Sequence, residues 1–282
     1  MTVKAPPAPK RKRATMHAAV TTLRSSIKDV ATSRSAAKRV LVVDVGGTTV
    51  KILVTGQTEA RSFPSGPTLT PARMVSEVKK LAADWTYDVV SIGYPGAVFG
   101  GRSVAEPHNL GRGWIGFDFA RAFGRPVKVV NDAALQALGS YRGGKMLFLG
   151  LGTGLGSAMI IEDILVPMEI AHLPYKQGTY EDYVGRIGLE RDGEKKWRRH
   201  VADVVSRLIT ALQPDDTVIG GGNVRRLAAL PPRCRQGENA NAFSGGFRLW
   251  EKSNVIPPDL PPRRARSLRG IPTTRKLPQM AS

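Results

Sequence analysis

Short apolar segments that run directly into glycine-rich turns place the strongest constraint on how this chain folds. Residues 150–156 hold four glycines at alternate positions, Gly46 and Gly47 follow residues 40–45, and residues 220–222 are three consecutive glycines. Alternating glycines do not stabilise a continuous strand, because they supply no side chains to pack. They leave backbone N–H groups open to an anion, where a Cβ would intrude. The pattern indicates an open α/β sheet whose sites lie at the ends of its strands.

The apolar pattern between residues 40 and 250 predicts a mixture of strands and helices. Residues 40–45 are almost wholly β-branched or Leu, which is typical of a buried strand. Met74, Val78 and Leu81 recur at helical spacing. We predict strands over 40–45, 51–55, 89–93, 127–130, 146–151, 157–161 and 218–219, and helices over 71–83, 133–141 and 194–212. No internal repeat of about 20 to 50 residues is visible in the sequence.

A carboxylate, two hydroxyls and a lysine surround the first pair of glycines. Asp44 is the one polar residue of the predicted strand 40–45, Thr48 and Thr49 follow the glycines, and Lys51 begins the returning strand. Amides, hydroxyls and a positive charge in a tight turn suit a phosphate, and a carboxylate at a strand end suits hydrated Mg²⁺. Glycine pairs are equally normal in hairpins that bind nothing. These residues alone leave both interpretations open.

Asn131 and Asp132 directly follow the predicted strand 127–130 and precede the predicted helix 133–141. An acid in this place is a good N-cap, because its side chain accepts from a free N–H of the first helical turn. The same carboxylate can also serve as a general base over a hydroxyl. Asp132 is therefore the leading catalytic candidate, with helix capping as the alternative.

The order of five motifs is more specific than any one of them. They are Asp-x-Gly-Gly-Thr-x-x-Lys at 44–51, Gly-Tyr-Pro-Gly at 93–96, Asn-Asp at 131–132, Gly-x-Gly-Thr-Gly-x-Gly at 150–156 and Gly-Gly-Gly-Asn at 220–223. This order resembles the ROK family of sugar kinases over residues 40–250. Within that family the chain is most similar to the polyphosphate glucokinases, through Glu169-Ile-Ala-His172 and Trp197-Arg-Arg-His200.

The resemblance implies an α/β, two-lobed actin/hexokinase-like (ribonuclease H-like) fold with a cleft for sugar and phosphate. It implies an N-terminal α/β lobe at 40–132 and a C-terminal α/β lobe at 133–252. A basic disordered tail at 1–39 and a Pro/Arg-rich tail at 253–282 would flank them. Similar proteins are usually dimers, so the resemblance also implies a homodimer.

Carried over by motif, the resemblance makes Asp132 the general base that accepts the proton of the sugar's 6-hydroxyl. The side chains that would bind the sugar are Asn109, Asn131, Glu169, His172 and Glu181. The residues that would bind the phosphate donor are Asp44, Gly46, Gly47, Thr48, Lys51, Gly152, Thr153, Gly154, Gly221 and Gly222. Asp44 would also be a ligand of Mg²⁺.

The implied activity is that of a glucokinase that uses polyphosphate, ATP or both, with Mg²⁺ as cofactor. Two alternatives stay open: a kinase for another hexose such as mannose, and a sugar-responsive transcription regulator of the same family. Many family members carry a Cys-x-Cys-Gly-x-x-x-Cys zinc motif after the Glu-x-x-His segment. Residues 174–180 contain no cysteine here, so we expect no zinc site and expect His172 to contact sugar or to be structural.

The formal net charge of +19 is concentrated at the two ends of the chain. Residues 1–39 hold ten Lys and Arg with one acid, and residues 251–282 hold seven with two acids. The intervening 211 residues carry 25 basic and 20 acidic side chains, an ordinary balance. A pI near 10.5 first suggests nucleic acid as partner, but this distribution ranks polyphosphate as substrate above nucleic acid.

Cysteine usage and hydropathy indicate a soluble protein of a reducing compartment. Cys234 is the single cysteine, which excludes an internal disulfide and a site of several thiolates. No apolar run approaches the ~20 residues of a membrane helix. We therefore expect a cytoplasmic protein with no membrane partner.

Two segments remain open to more than one interpretation. Six basic residues could form a track for polyphosphate or part of a solvated surface: Lys195, Lys196, Arg198 and Arg199 on the predicted helix 194–212, and Arg225 and Arg226 after the third glycine turn. Residues 239–250 combine aromatic and small side chains, which could serve as a docking surface.

Overall fold

The computed structural model of the 282-residue chain describes residues 38–238 and 240–251. The tails predicted at 1–39 and 253–282 lie outside the described residues, apart from residues 38 and 39. The strands are β1 (Val40–Val45), β2 (Thr49–Val54), β3 (Arg61–Pro64), β4 (Val89–Tyr94), β5 (Val98–Phe99), β6 (Arg102–Ser103), β7 (Val127–Asn131), β8 (Lys145–Leu151), β9 (Leu155–Ile161), β10 (Ile164–Pro167), β11 (Pro174–Tyr175), β12 (Gly178–Thr179), β13 (Asp216–Gly220) and β14 (Cys234–Gln236). The helices are α1 (Pro71–Leu81), α2 (Phe119–Phe123), α3 (Asp132–Ser140), α4 (Tyr180–Val184), α5 (Arg186–Leu212) and α6 (Asn241–Arg248).

Two five-stranded sheets repeat one topology. In the first sheet β1, β2 and β3 are antiparallel, and β4 and β7 add in parallel on the other side of β1, which gives the order β3-β2-β1-β4-β7. The second sheet has the equivalent order β10-β9-β8-β13-β14, with the same directions. The first hairpin of each sheet carries a glycine turn, at 46–47 and at 152–154. The fold thus contains a repeat that the sequence does not reveal.

The hydrophobic core consists of three layers around these sheets. Helices α1 and α2 cover the outer face of the first sheet, where Met74 and Phe119 pack with Val43 and Ile52. Helices α3 and α6 share a core with the strands of both sheets. Helix α5 covers the outer face of the second sheet, with Trp197 fully buried. Burial on both faces explains why the parallel strands are almost continuously apolar.

The predicted strands and helices are confirmed, with shifts of one or two residues at their ends except at the start of α5, which begins eight residues before the predicted helix 194–212. The predicted helix 194–212 starts directly after Gly193, whose φ of 71° interrupts α5. The elements that were not predicted are strands β3, β5, β6, β10, β11, β12 and β14 and helices α2, α4 and α6. None of the helices in the described part of the chain is long and apolar enough to cross a membrane.

The interpretation of segment 239–250 as a docking surface is wrong for its described residues, 240–250. Helix α6 packs between the sheets, with Ala242 and Leu249 fully buried. The side chain of Trp250 donates to Ser91 Oγ over 2.9 Å, and Ser91 Oγ donates to the carbonyl of Gly246 over 2.6 Å. The aromatic and small residues of this segment therefore belong to the core.

Helices α3 and α6 cross with their backbones in contact. A Cβ built on Gly139 would clash with the carbonyl of Asn241, and one built on Gly245 would clash with the carbonyl of Leu135. Such an approach is open only to glycine, and it fixes the distance between the two helices. Because Asp132 begins α3, the crossing also fixes the position of that carboxylate.

Replacement of Gly245 by Ala should lower the free energy of unfolding by roughly 1–3 kcal/mol, because the methyl group forces the helices apart. In an exposed helix the same change would stabilise by up to about 1 kcal/mol, so the sign is diagnostic. Ser244→Ala, at the exposed neighbouring position, is the control and should change stability by less than about 0.5 kcal/mol. Urea unfolding followed by circular dichroism measures both, and an unchanged midpoint for Gly245→Ala would contradict the backbone contact.

Candidate active site

A cleft of about 590 Å³ is lined by turns from both sheets. Of the residues predicted to form the site, those that line it are Gly47, Asn109, Asn131, Asp132, Gly152, Thr153, Gly154, Glu169, His172, Glu181 and Gly221. Asp44 and Lys51 instead line a smaller cavity of about 280 Å³ together with Ser62, Ala240 and Phe243. Gly46, Thr48 and Gly222 line neither cavity. The structure thus brings the candidate catalytic residue, the sugar-binding candidates and parts of three glycine turns together.

Asn131, rather than Asp132, is the N-cap of α3. Its Oδ1 accepts from the backbone N–H of Ala133 over 2.8 Å, and its Nδ2 donates to the carbonyl of Gly96 over 3.1 Å. Asp132 is the first helical residue, and its Oδ1 also accepts from the N–H of Ala133. The N-cap position belongs to Asn131, and Asp132 adds a second hydrogen bond to the same first-turn N–H while it lines the cleft. Asn131 lines the cleft while holding the turn after β4 against α3.

Burial raises the pKa of Asp132 to about 7. The nearby carboxylate of Asp44 adds to this rise and Glu169 adds less, whereas hydrogen bonds from the backbone partly oppose it. A carboxyl that titrates near neutrality can hold or release a proton at physiological pH, which is what a general base requires.

Asp44 lies directly opposite Lys51 in the register of β1 and β2. Burial raises the pKa of Asp44, and the positive charge of Lys51 opposes the rise. Within the described residues no group of three or more His, Cys, Asp and Glu side chains could hold a metal ion. Mg²⁺ usually takes one or two carboxylates and completes its shell with water and substrate phosphates. The carboxylate of Asp44 acts electrostatically on Asp132, and a carboxylate is a ligand that fits such an ion, although the two side chains line different cavities.

The second and third glycine turns form one unit. The backbone N–H of Asn223 donates to the carbonyl of Leu151 over 2.9 Å, and its Nδ2 donates to the carbonyl of Gly152 over 2.8 Å. Gly221 has a φ of 86°, and a Cβ built on it would clash with the backbone of Leu151. Only glycine satisfies both conditions at Gly221. Bare backbone of both turns therefore lies at the edge of the cleft.

The first glycine turn is held by β3 and touches the predicted sugar site. Ser65 Oγ donates to the carbonyl of Gly46 over 2.7 Å, and the N–H of Ser65 donates to the carbonyl of Thr48 over 3.0 Å. A Cβ built on Gly47 would lie 3.4 Å from Cβ and Nδ2 of Asn109. The turn and Asn109 thus pack against each other at the cleft.

Three titratable side chains on the second half of the chain face the cleft from β10 to α4. Burial raises the pKa of Glu169, Glu181 adds to the rise, and His172 opposes it. Glu181 Oε2 also accepts from the backbone N–H of Leu155 over 3.2 Å. It occupies the space that a side chain at Gly154 would need. Glu181 therefore connects the predicted sugar site to the second glycine turn.

Glu106 and Gln136 line the cleft and were not among the predicted site residues. Glu106 accepts from the N–H groups of Gly113 and Trp114, at 3.1 and 3.2 Å, and so anchors the loop that carries Asn109. Gln136 lies one helical turn after Asp132 on α3 and lines the same cleft. The four-residue spacing from Asp132 was the available signal for Gln136, because such residues share a helix face.

Three of the six basic side chains considered as a polyphosphate track are paired with acids. Arg198 lies 2.6 Å from Glu194, Arg226 lies 2.9 Å from the same carboxylate, and Lys196 lies 2.9 Å from Asp192. These ion pairs favour the alternative of a solvated helix face. Lys195 and Arg199 are exposed on the same helix.

Comparisons with known proteins agree with the fold and the motifs. The model of the ROK family matches residues 40–167. A polyphosphate glucokinase of Mycobacterium tuberculosis (strain CDC 1551 / Oshkosh) is 30% identical over 215 residues, which cover 67% of this chain and 80% of that protein. The chain belongs to the ROK family.

Two solved structures extend the similarity of this ROK protein to three dimensions. The inorganic polyphosphate/ATP-glucomannokinase of Arthrobacter sp. strain KM has a TM-score of 0.63 at 24% identity, covering 74% of this chain and 97% of that one. A ROK family transcriptional regulator homologous to the E. coli MLC protein has a TM-score of 0.61 at 15% identity, covering 82% and 87%. The predicted hexokinase-like α/β fold is confirmed, and the same fold serves kinases and regulators.

Replacement of Asp132 by Asn should stabilise the protein increasingly as the pH rises. The folded-state pKa of about 7 lies above the unfolded value of about 4. The wild type therefore loses stability as the pH rises from about 4 to about 7, and the loss levels off above pH 7. The stability that the variant gains over wild type should be roughly 3 kcal/mol larger at pH 9 than at pH 5.

Thermal unfolding at both pH values measures this difference. Asp163→Asn, at an exposed position, is the control and should not distinguish the two conditions. An Asp132→Asn effect that is equal at pH 5 and pH 9 would contradict the raised pKa.

Proposed function

We propose that this ROK protein is a glucokinase that transfers a phosphoryl group from polyphosphate, ATP or both to the 6-hydroxyl of glucose, with Asp132 as general base. The observation that carries the proposal is a carboxyl with a pKa of about 7 in a cleft shared with polar side chains and glycine turns. Two similar proteins, named a polyphosphate glucokinase and a polyphosphate/ATP-glucomannokinase, support this substrate class.

The reaction needs one base and a cradle for negative charge. Ionised Asp132 accepts the proton of the 6-hydroxyl while O6 attacks the terminal phosphorus of the donor. The bond from phosphorus to the bridging oxygen breaks, and the shortened phosphate chain leaves with the electron pair. Bound Mg²⁺, held by Asp44 with Asp132 nearby, would neutralise charge on the donor phosphates. N–H groups of the turns at Gly47 and at 152–154 would bind the phosphate oxygens.

Recognition of a sugar depends on hydroxyls that need both donors and acceptors. Asn109, Glu169, His172 and Glu181 supply an amide, two carboxylates and an imidazole around one cleft. A polyol that leaves any of these groups unpaired loses binding energy, which gives selectivity for a particular hexose.

The proposal also includes three features of the whole protein. These are a division into lobes at 40–132 and 133–252, a homodimer and a cytoplasmic location.

The purified chain, incubated with glucose, Mg²⁺ and either ATP or polyphosphate, should form glucose 6-phosphate. Asp132→Asn should lower kcat by at least about 100-fold, the usual contribution of a general base, and should leave glucose binding within about threefold. Coupled oxidation of glucose 6-phosphate measures the rate, and calorimetry measures glucose binding. Asp163→Asn is the matched control and should retain full activity.

Other outcomes separate the alternatives. An unaffected rate in Asp132→Asn would remove Asp132 from the role of base. Higher kcat/KM for mannose than for glucose would favour a kinase for another hexose. Absence of product with either donor, together with salt-resistant and sequence-selective binding of DNA, would favour a transcription regulator.

A further inference from the structure

Three glycines form a row across the second sheet beneath the first turns of α3. Gly150 of β8 lies opposite Gly156 of β9 and beside Gly220 of β13 in the strand register. A Cβ built on Gly156 would lie 2.8 Å from the Cβ of Ala133, and one built on Gly220 would lie 2.8 Å from the Phe148 ring. Because the row carries no side chains, the start of α3 lies directly over the sheet.

Gln136 projects from α3 into this narrow space. It follows Asp132 by one helical turn, lines the cleft, and its Oε1 would lie 3.3 Å from a Cβ built on Gly220. This oxygen is buried and has no hydrogen-bond partner among the described residues. A buried acceptor without a partner costs about 1–3 kcal/mol. Gln136 Oε1 lies near Gly220 and the Phe148 ring. An apolar side chain would pack against these groups better than an amide does.

Native proteins contain few unsatisfied buried polar atoms, and each one calls for an explanation. A bound ligand that completes the hydrogen bonds is one. A carboxamide can present either its oxygen or its two N–H donors to a given point by rotation of its terminal torsion. Two N–H donors beside the glycine turns would suit an oxygen of a phosphate.

We propose that Gln136 is a donor-binding residue, whose carboxamide donates to a non-bridging oxygen of a phosphoanhydride chain. The phosphoanhydride of the donor would lie between the second and third glycine turns, which contribute Gly152 and Gly221 to the same cleft. This inference rests on the proposed function and names a contact for its donor. Gln136 Oε1 lies beside Gly220, which directly precedes the predicted donor-binding residues Gly221 and Gly222. We therefore assign the contact to the donor rather than to glucose.

Gln136→Met tests the proposal because Met has nearly the volume of Gln and no hydrogen-bonding amide. The variant should be as stable as wild type or more stable, since it removes an unsatisfied polar atom. It should nevertheless raise the donor KM about five- to tenfold, the loss of one hydrogen bond, with glucose KM within about twofold. A gain in stability with a loss of donor affinity is not expected of a residue that only packs.

Gln136→Glu provides a second variant of almost identical shape. Its negative charge would repel the phosphates, so donor affinity should fall further than in Gln136→Met. Both variants are assayed with ATP and with polyphosphate, and binding of polyphosphate in the absence of glucose is measured by calorimetry. Gln57→Met, at an exposed turn after β2, is the matched control and should leave donor KM and polyphosphate binding unchanged.

A rise of the KM for ATP or for polyphosphate supports the contact. The donor whose KM rises is the one whose phosphate Gln136 binds. Unchanged donor KM and polyphosphate binding in both Gln136 variants would overturn it, as would a rise confined to glucose KM. A wild-type protein that forms no product contradicts the proposed function, and the calorimetric comparison then still decides whether Gln136 binds polyphosphate.

Discussion

The contact between two helix backbones determines where the candidate base lies. Gly139 and Gly245 let α3 and α6 touch between the sheets, and Gly156 lets the first turn of α3 approach β9. Any side chain at these positions would move α3 and the carboxylate of Asp132 with it. Positioning of a reacting group to within a fraction of an ångström is what catalysis requires. The packing of the core and the geometry of the cleft therefore have the same cause.

The electrostatics of the cleft follow from this packing. Asp132 and Asp44 end parallel strands of one sheet, on either side of β4, so two carboxylates lie near each other in a poorly solvated place. Burial and mutual repulsion raise the pKa of Asp132, and the same repulsion makes the site suitable for a cation. Glu181 extends the arrangement, because it contacts the N–H of Leu155 in the second glycine turn. The hydrogen bond between Glu181 and Leu155 would thus connect the proposed sugar site directly to the proposed donor site.

Local patterns predicted much of the fold and part of the site. Period and composition located the buried strands, and the strand-end position of Asp132 pointed to the cleft. The sequence could not show that Asn131 would take the cap, because either residue can do so. Helix α6 was missed, since Gly245 and Gly246 lower helix propensity and their role appears only when α3 and Val42 pack against them. Likewise the repeated topology depends on hydrogen bonds between distant strands, which no local pattern records.

The central claim is that Asp132 is held in the cleft as a carboxyl that titrates near neutrality. Carbon-13 NMR of protein labelled at the aspartate carboxyl carbon, titrated from pH 4 to pH 9, tests it directly. The signal that is missing from Asp132→Asn identifies the residue. The structure predicts that this signal titrates with a pKa of about 7. Titration near 4, the ordinary range of aspartate, would contradict the account of the site.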